Sequence, residues 1–260
     1  MAFSLKKHKM PEQEANVRRH NFNEVTLGYD EETAKAEAAR CLQCKNSPCR
    51  NGCPVGIDIP VFFSKVKEGD YIAANKIIRQ YNNLPAVCGR VCPQENQCEK
   101  LCIRGIKGEP VAIGRLKRFV ADFSLGGSCP MPELPPEKKI GKVAVIGGGP
   151  ASLTAAGDLV RLGYQVTLFE ALHTPGGVLM YGIPEFRLPK EIVKCEIKTL
   201  KYLGVEVVVN AVIGKTYTVD ELMEEEKYDA VFIGTGAGLP HFMKMLGENL
   251  NGVYSANEFL

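Results

Sequence analysis

The sequence has no long apolar run, no strong net charge and no internal repeat. Its 260 residues carry a formal net charge of +2, so it lacks the charge excess that would indicate binding to nucleic acid or to an anionic membrane. No uninterrupted apolar stretch approaches the roughly 18 residues that a membrane-spanning helix needs. The first twenty residues are basic but contain no apolar segment, which excludes a secretory signal. These absences predict a globular protein of the cytoplasm, with no nucleic-acid partner and no membrane span.

The first half of the chain also lacks any pattern of strands. Residues 1 to about 30 are polar and weakly periodic, and we expect an arm that lies on the surface or on a partner. Asp30 is a suitable N-cap for a helix rich in alanine. Further helices are predicted over Ile59–Glu68, residues 70–84 and residues 113–123. Residues 1–123 therefore predict a small helical domain, whose thin core would rely on metal sites for stability.

The pattern changes after a linker at residues 124–139, which holds four prolines and two glycines. Apolar strands alternate with amphipathic helices from there to the end. This alternation is typical of an α/β fold with a doubly wound parallel sheet. The predicted strands are 142–146, 165–169, 205–209 and 228–234, and the predicted helices are 151–162, 189–204 and 218–226. We therefore place a second domain at residues 140–260.

Cysteine is concentrated in two short runs that hold eight of the ten cysteines. The runs are Cys41-x2-Cys44-x4-Cys49-x3-Cys53-Pro54 and Cys88-x3-Cys92-Pro93-x4-Cys98-x3-Cys102. Thiolates at such short spacings on a turning backbone can supply the corners of an iron–sulfur cluster. In ferredoxin-like runs, the cysteine that precedes proline binds the other cluster, so we expect Cys53 to cross to the second site.

Other interpretations of the cysteines are weaker but stay open. Two structural zinc sites would fit the cysteine count, although the spacings are not those of paired CxxC motifs. A disulfide framework is disfavoured in a cytoplasmic protein. Cys129 in the linker and Cys195 in a predicted helix are interpreted as incidental thiols.

A glycine-rich turn follows the first predicted strand of the second domain. Gly147 and Gly149 open the motif Gly-x-Gly-x-x-Ser, which ends at Ser152 and leads into a helix. In dinucleotide-binding folds the first glycine permits the tight turn and the second lets the backbone approach a pyrophosphate. Serine at the third position is small enough to fit, but we expect it to loosen helix–strand packing. Glu170 ends the next strand, where an acid binds ribose hydroxyls. A glycine turn that binds nothing is the remaining alternative.

Several segments together resemble one family of oxidoreductases. They are CLQCKNSPCRNGCPVGIDIP, LPAVCGRVCPQENQCEKLC, GEPVAIGRL, VAVIGGGPASLTAAGDL, PGGVLMYGIPEFRLPK and DAVFIGTGAGLP. The chain resembles the small subunit of NADPH-dependent glutamate synthase, and it is also similar to the large subunit of ferredoxin:NADP oxidoreductase and the amino-terminal half of dihydropyrimidine dehydrogenase. The resemblance implies two [4Fe–4S] clusters in the helical domain and FAD in the second. Electrons would pass between NADPH, FAD and the clusters to a larger catalytic subunit, a flavoprotein subunit or ferredoxin.

The resemblance also implies which residues hold the cofactors, and it leaves no side chain with the role of an acid–base catalyst. One cluster would be held by Cys41, Cys44, Cys49 and Cys102, and three corners of the other by Cys53, Cys92 and Cys98. The residues expected to contact FAD are Gly147, Gly149, Pro150, Ala151, Glu170, Gly176, Gly177, Thr235 and Gly236.

The sequence departs from that family in two places. Lys117 stands where the family has a carboxylate or amide ligand for the second cluster, and an ammonium group has no lone pair to offer iron. Cys88, a water-derived ligand or a three-iron cluster would each be consistent with that change. In addition, no second glycine fingerprint occurs in the sequence, so NADPH would bind only through a missing or separate domain. A non-catalytic electron-transfer or docking subunit is therefore the alternative function.

Overall fold

The computed structural model describes residues 4–126, 134 and 140–259. Its internal contacts divide the chain into two units. The first unit comprises Met1–Pro130 and Glu185–Glu196, and the second comprises Met131–Pro184 and Ile197–Leu260. The domain limits at residues 123 and 140 stay a prediction.

The first unit is helical, as its sequence pattern predicts. No strand is described ahead of Lys142 in the part of the chain that the structure covers. Its helices are α1 (Ala15–Arg18), α2 (Glu31–Ala39), α3 (Pro48–Asn51), α4 (Ile59–Glu68), α5 (Tyr71–Arg79), α6 (Pro85–Val91) and α7 (Ile113–Leu125), with 3₁₀ turns at Gln94–Asn96 and Ile103–Ile106. Helix α6 was not predicted, because Pro85 suggested a stop, whereas proline is also well suited to the first position of a helix.

Local capping explains where the longer helices begin. The Asp30 carboxylate caps α2 by accepting a hydrogen bond from the Thr33 N–H at 2.8 Å. Asp70 caps α5 in the same way, through the Ala73 N–H at 2.9 Å. Gly69 ends α4 in a left-handed conformation that glycine adopts without strain. The turn between α4 and α5 is thus specified by neighbouring residues.

The core of the first unit reaches the cysteines. Phe62 and Phe63 of α4 pack edge to face, with ring centroids 4.6 Å apart, and both are almost fully buried. Leu116 and Val120 of α7 join the same cluster of apolar side chains. Four partly buried thiols pack against this core, namely those of Cys41, Cys49, Cys53 and Cys102. The apolar core and the thiol sites are therefore one continuous body.

The second unit is built on a four-stranded parallel sheet. Its elements are β1 (Lys142–Ile146), α8 (Pro150–Leu162), β2 (Gln165–Phe169), α9 (Val178–Tyr181), β3 (Glu206–Val208), α11 (Val219–Glu224), β4 (Ala230–Ile233) and α12 (Ala256–Phe259). Helix α10 (Lys190–Tyr202) begins in the first unit and ends in the second. The strand order is β3-β2-β1-β4, and Val143 of β1 is paired with Val166 on one side and Ala230 on the other. This confirms the prediction of an α/β parallel sheet.

The order of the strands defines where a ligand can bind. Strand β1 lies between β2 and β4, so the connections reverse direction across the sheet beside β1. Ligands of open α/β sheets bind at the carboxyl ends of the strands where this reversal occurs. The glycine turn follows β1 directly and occupies that position. None of the helices in the described ranges is long and apolar enough to cross a membrane.

Candidate functional site

The first group of thiols lines a single cavity in the first unit. Three of them come from the first cysteine run and the fourth, Cys102, comes from the end of the second run. The walls are otherwise largely apolar, and they include Leu42, Pro48, Ile59, Phe63, Leu101, Ile103, Val111 and Ile113. The structure thus brings Cys41, Cys44, Cys49 and Cys102 together, which is the set that the family resemblance implies for one cluster.

The backbone around the first run turns sharply to deliver these thiols. Gln43 and Ser47 both have positive φ values, of 50° and 41°, a conformation that is uncommon for residues other than glycine. The Gln43 side chain donates a hydrogen bond to the Pro60 carbonyl at 3.0 Å, which ties this turn to α4. Pro48 then starts α3, which carries Cys49. The tight backbone places cysteines of close spacing along one wall of the cavity.

The electrostatics of this cavity favour neutral thiols in the absence of metal. Burial, with a smaller contribution from the neighbouring Cys41 and Cys102 thiols, raises the pKa of Cys49 to about 12. Burial also raises the pKa of Cys41. Bound iron reverses this preference, because coordination to a cation deprotonates a thiol. The cavity therefore has the donor set and the apolar walls of an iron–sulfur site.

The second group of thiols lies beside α6 and α7. Cys98 is buried, and burial raises its pKa to about 12 while the Lys117 ammonium opposes the rise. Burial raises the pKa of Cys92 and Lys117 opposes that shift too, whereas Cys88 and Cys53 add to it. Cys53, from the first run, is a charge neighbour of both Cys92 and Cys98. The structure thus brings the Cys53 thiol near Cys92 and Cys98, while its role as a ligand of the second cluster stays a prediction.

The spacing of the thiols bears on what they could hold. Among the described residues, no three His, Cys, Asp or Glu side chains are close enough to share a single metal ion. The four thiols of the first group line one cavity. All eight are free cysteines. Cys195, in contrast, is disulfide-bonded, so its interpretation as an incidental thiol is wrong; Cys129 lies outside the described residues.

A buried ion pair just before the first run was not predicted. Glu37 and Arg40 are fully buried and paired at 2.5 Å. The Glu37 carboxylate also accepts hydrogen bonds from the N–H groups of His8 and Ala112, each at 2.8 Å. Burial alone would raise the pKa of Glu37, but these bonds hold it below its usual value. The Arg40 carbonyl accepts from Arg104 at 2.6 Å, so the pair links the N-terminal arm to both segments that carry the first thiol group.

The glycine turn of the second unit has the conformation that its motif requires. Gly147 has a φ of +93°, and its N–H donates to the Phe169 carbonyl at 2.7 Å. A Cβ on Gly147 would lie 2.5 Å from the Gly234 carbonyl oxygen. Gly149 is extended and caps α8, and a Cβ there would meet nothing within 4 Å. Gly147 is thus required by the fold, whereas Gly149 faces open space at the N-terminus of a 13-residue helix.

Glu170 lies against this turn, as its position after β2 predicts. One carboxylate oxygen accepts from the Gly148 N–H at 2.7 Å, and the other accepts from the Leu172 N–H at 2.8 Å. Only 6% of the residue is exposed. Because each carboxylate oxygen has a second lone pair, the group can still accept from a ribose hydroxyl.

The remaining residues expected at the flavin site converge on the same turn. The Gly176 N–H donates to the Gly148 carbonyl at 2.8 Å, and a Cβ on Gly177 would lie 2.8 Å from the Gly149 Cα. Thr235 follows β4 beside Gly147, and Gly236 has a φ of +72° with open space around it. Pro150 and Ala151 form the first turn of α8. Open space at Gly149 and Gly236, beside free N–H groups of a helix, fits a bound pyrophosphate.

Ser152 replaces the third glycine of the motif without loosening the structure. Its side chain is fully buried, and the hydroxyl donates to the Gly234 carbonyl at 3.3 Å. Gly234 leaves the room that this hydroxyl needs, since a Cβ there would overlap it. The serine therefore links α8 to the end of β4, which the sequence motif alone does not show.

Two family models match the chain in the order of these sites. Residues 18–127 match the 4Fe–4S cluster domain II of dihydropyrimidine dehydrogenase, and residues 141–259 match the pyridine nucleotide-disulphide oxidoreductase domain. The small chain of NADPH glutamate synthase from Escherichia coli is 36% identical over 96% of this chain. The chain is homologous to the glutamate synthase small chain and has a 4Fe–4S cluster domain followed by an oxidoreductase domain. It is an iron–sulfur flavoprotein of the oxidoreductase class, with [4Fe–4S] clusters and FAD as its cofactors.

Two other relatives have higher identity over a smaller part of the chain. The PreT subunit of the NAD-dependent dihydropyrimidine dehydrogenase of Escherichia coli is 40% identical over 85% of this chain. The beta subunit of the NADP-dependent formate dehydrogenase of Moorella thermoacetica is 41% identical over 78% of it. The chain spans 54% of the PreT subunit and 52% of the glutamate synthase small chain, so about half of each relative has no counterpart here.

Proposed function

We propose that the chain is an electron-transfer subunit of the NADPH-dependent glutamate synthase type. The first thiol group, Cys41, Cys44, Cys49 and Cys102, would hold one [4Fe–4S] cluster, and Cys53, Cys92 and Cys98 would hold three corners of a second. The glycine turn at Gly147–Gly149 would hold FAD. The observation that carries this proposal is the interleaving of the two runs, because thiols far apart in sequence share one apolar cavity.

The residues of the chain would bind and insulate the cofactors and take no direct part in proton transfer. When bound, FAD connects the two-electron chemistry of a pyridine nucleotide with the one-electron chemistry of the clusters. Glu170 and the first turn of α8 would orient the flavin nucleotide. The apolar walls around the first thiol group would exclude water and so tune the potential of the cluster. NADPH would bind at a site other than the glycine turn at Gly147.

A partner surface is suggested by the rim of the first cavity. Leu42, Leu101 and Ile103 line the cavity and are also 51%, 43% and 41% exposed. Lys45 and Lys100, in the same two segments, are exposed as well. An apolar patch with a basic border suits an acidic electron partner, whether a larger subunit or a ferredoxin. We place the protein in the reducing cytoplasm because the eight thiols of the two runs are free. The disulfide at Cys195 is an observation against this placement.

The proposal is tested by chemical analysis of the chain purified without oxygen. We expect about eight irons and eight sulfides per chain, the content of two four-iron clusters, together with one FAD. Zinc in place of iron and sulfide would overturn the cluster assignment. Absence of flavin in the presence of clusters would overturn the role of the glycine turn.

The second candidate is a non-catalytic electron-transfer or docking subunit. It is considered because the glycine fingerprint found in these 260 residues, at Gly147–Ser152, would hold FAD. Reduction of an artificial acceptor by NADPH or NADH distinguishes the two candidates. Turnover by the purified chain would exclude the second candidate, whereas clusters and FAD without turnover would support it.

A further inference from the structure

One charged side chain lies in the wall of the first thiol cavity. Apart from the four thiols, the residues that line this cavity in the described part of the chain are apolar, with Arg104 as the exception. Arg104 belongs to the 3₁₀ turn Ile103–Ile106 and is half-buried, so solvent screens its charge only in part. A guanidinium keeps its positive charge across the ordinary pH range. The wall of the cavity therefore carries a permanent cation.

A hydrogen bond joins the Arg104 guanidinium to the other cysteine run. Its Nε group donates to the Arg40 carbonyl at 2.6 Å. Arg40 directly precedes Cys41, and Arg104 follows Cys102 by two residues. The bond therefore links the two backbone segments that bring thiols from different runs into one cavity.

The residue that accepts this hydrogen bond is itself firmly held. Only 1% of Arg40 is exposed, and its side chain is paired with Glu37. Its guanidinium also donates to four carbonyl oxygens, those of Ser4 at 3.0 Å, Leu5 at 3.2 Å, Glu109 at 2.7 Å and Pro110 at 3.2 Å. Because Arg40 is bound by so many groups, its backbone has little freedom to move. The hydrogen bond from Arg104 therefore holds that guanidinium at one place in the cavity wall.

We propose that Arg104 is a positioning residue of the first cluster: its hydrogen bond to the Arg40 carbonyl holds the two cysteine runs together, and its guanidinium raises the reduction potential of the cluster. This inference rests on the proposed function. Reduction adds one electron to the cluster, and a cation in a largely apolar wall stabilises the added negative charge more than it would in water. The guanidinium neither gains nor loses a proton in this step.

The first test concerns the charge. Arg104→Gln removes the charge but keeps an N–H donor for the Arg40 carbonyl, whereas Arg104→Lys keeps the charge. In Arg104→Gln the equilibrium constant for reduction of the first cluster should fall about tenfold, which lowers its midpoint potential by about 59 mV for one electron. Arg104→Lys should keep the potential of the unchanged chain. The paramagnetic resonance signal of the first cluster is identified as the one that disappears in Cys102→Ala.

Lys107 provides the matched control for the loss of charge. It lies three residues after Arg104, is exposed and does not line the cavity. Lys107→Gln removes the same charge from the chain but should leave the potential of the first cluster unchanged, because water and salt screen an exposed charge. An equal fall in Lys107→Gln and Arg104→Gln would overturn the proposal, and so would an unchanged potential in Arg104→Gln. Loss of the first cluster from Arg104→Gln but not from Arg104→Lys would support it, because the charge would then be needed to hold the cluster.

The second test concerns the hydrogen bond. Arg104→Met offers no donor to the Arg40 carbonyl, so the first cluster should lose iron to a chelator about tenfold faster than in Arg104→Gln. The second cluster should lose iron at the rate of the unchanged chain, and its signal shows that each variant is folded. Equal rates for the first cluster in Arg104→Met and Arg104→Gln would overturn the positioning role. Failure of the unchanged chain to bind any iron would instead overturn the proposed function.

Discussion

The two units build their sites from different parts of the polypeptide. In the first unit the site consists of side chains, because thiols from distant segments meet in a cavity with apolar walls. In the second unit it consists of backbone, because the turn at Gly147 and the N-terminus of α8 present N–H groups and open space. The comparison teaches where each site is vulnerable. The first site is sensitive to the loss of a thiol. The second site is sensitive to the addition of a side-chain atom at a glycine.

Removing one thiol gives the largest expected effect. Cys102→Ala and Cys41→Ala lie in different runs but should lose the same cluster, so iron should fall from about eight to about four per chain in each. The measurement is iron and sulfide content together with the paramagnetic resonance of the reduced protein. If the two variants lose different clusters, the interleaved arrangement is wrong.

Adding one methyl group to the glycine turn tests the second unit. Gly147→Ala requires a positive φ at an alanine and an overlap with the Gly234 carbonyl, and the backbone strain alone is about 1–3 kcal/mol. We expect loss of bound FAD and a lower unfolding temperature. Iron content should not change if the two sites are independent.

The matched control for this variant is Gly149→Ala, whose Cβ would meet no protein atom within 4 Å. Its thermal stability without flavin should equal that of the unchanged chain. Its affinity for FAD should fall by about tenfold or more, since a steric cost of 1.4 kcal/mol is enough. Unchanged affinity would show that the pyrophosphate does not approach Gly149.

A buried carboxylate distinguishes the first unit further. Glu196 of α10 is 1% exposed, pairs with Arg79 at 2.9 Å and accepts from the Ala86 N–H at the start of α6. Glu196→Ala should destabilise the protein by about 3–5 kcal/mol, because it removes the carboxylate of a buried ion pair.

Glu191 of the same helix is the control, since its side chain is 81% exposed and pairs with Lys194. Glu191→Ala should cost less than about 0.5 kcal/mol. Denaturant unfolding measures both variants. A similar loss of unfolding free energy in the two variants would mean that the buried ion pair does not stabilise the first unit.

The smallest expected effect compares one helix cap from each unit. Asp30→Ala and Thr218→Ala each remove a side-chain acceptor from the start of a helix, α2 and α11 respectively. Each should cost about 1 kcal/mol. Only Asp30→Ala should speed the loss of iron on dilution with a chelator, because α2 leads directly to Cys41.

Regular periodicity explains what the sequence predicts well. Helix α4 begins and ends at the predicted residues, and the strands β1 and β2 do so too. Helix α6 was missed because a proline such as Pro85 can either end the preceding helix or occupy the first turn of a new one. The predicted cofactor residues lie close together in each unit, but their assignment as ligands stays a prediction.

Pairings between distant residues explain what the sequence does not predict. Glu37 binds His8 and Ala112, and Glu196 binds Arg79 and Ala86. Each of these contacts joins segments that the tertiary fold brings together. A local sequence pattern therefore does not predict it. The hydrogen bond from Ser152 to Gly234 is of the same kind, since it compensates for a glycine that the motif lacks.

The interleaving of the cysteine runs has a consequence for how the protein is made. A chain emerging from the ribosome presents Cys41, Cys44 and Cys49 early, but the thiol that completes their cavity, Cys102, follows only after the whole of α4, α5 and α6. In the second group, Cys53 is likewise synthesised early, but the group is complete only after Cys98 has been added. With the proposed ligand sets, neither cluster could be finished on a partly synthesised helical unit, and iron loading would be coupled to completion of that unit.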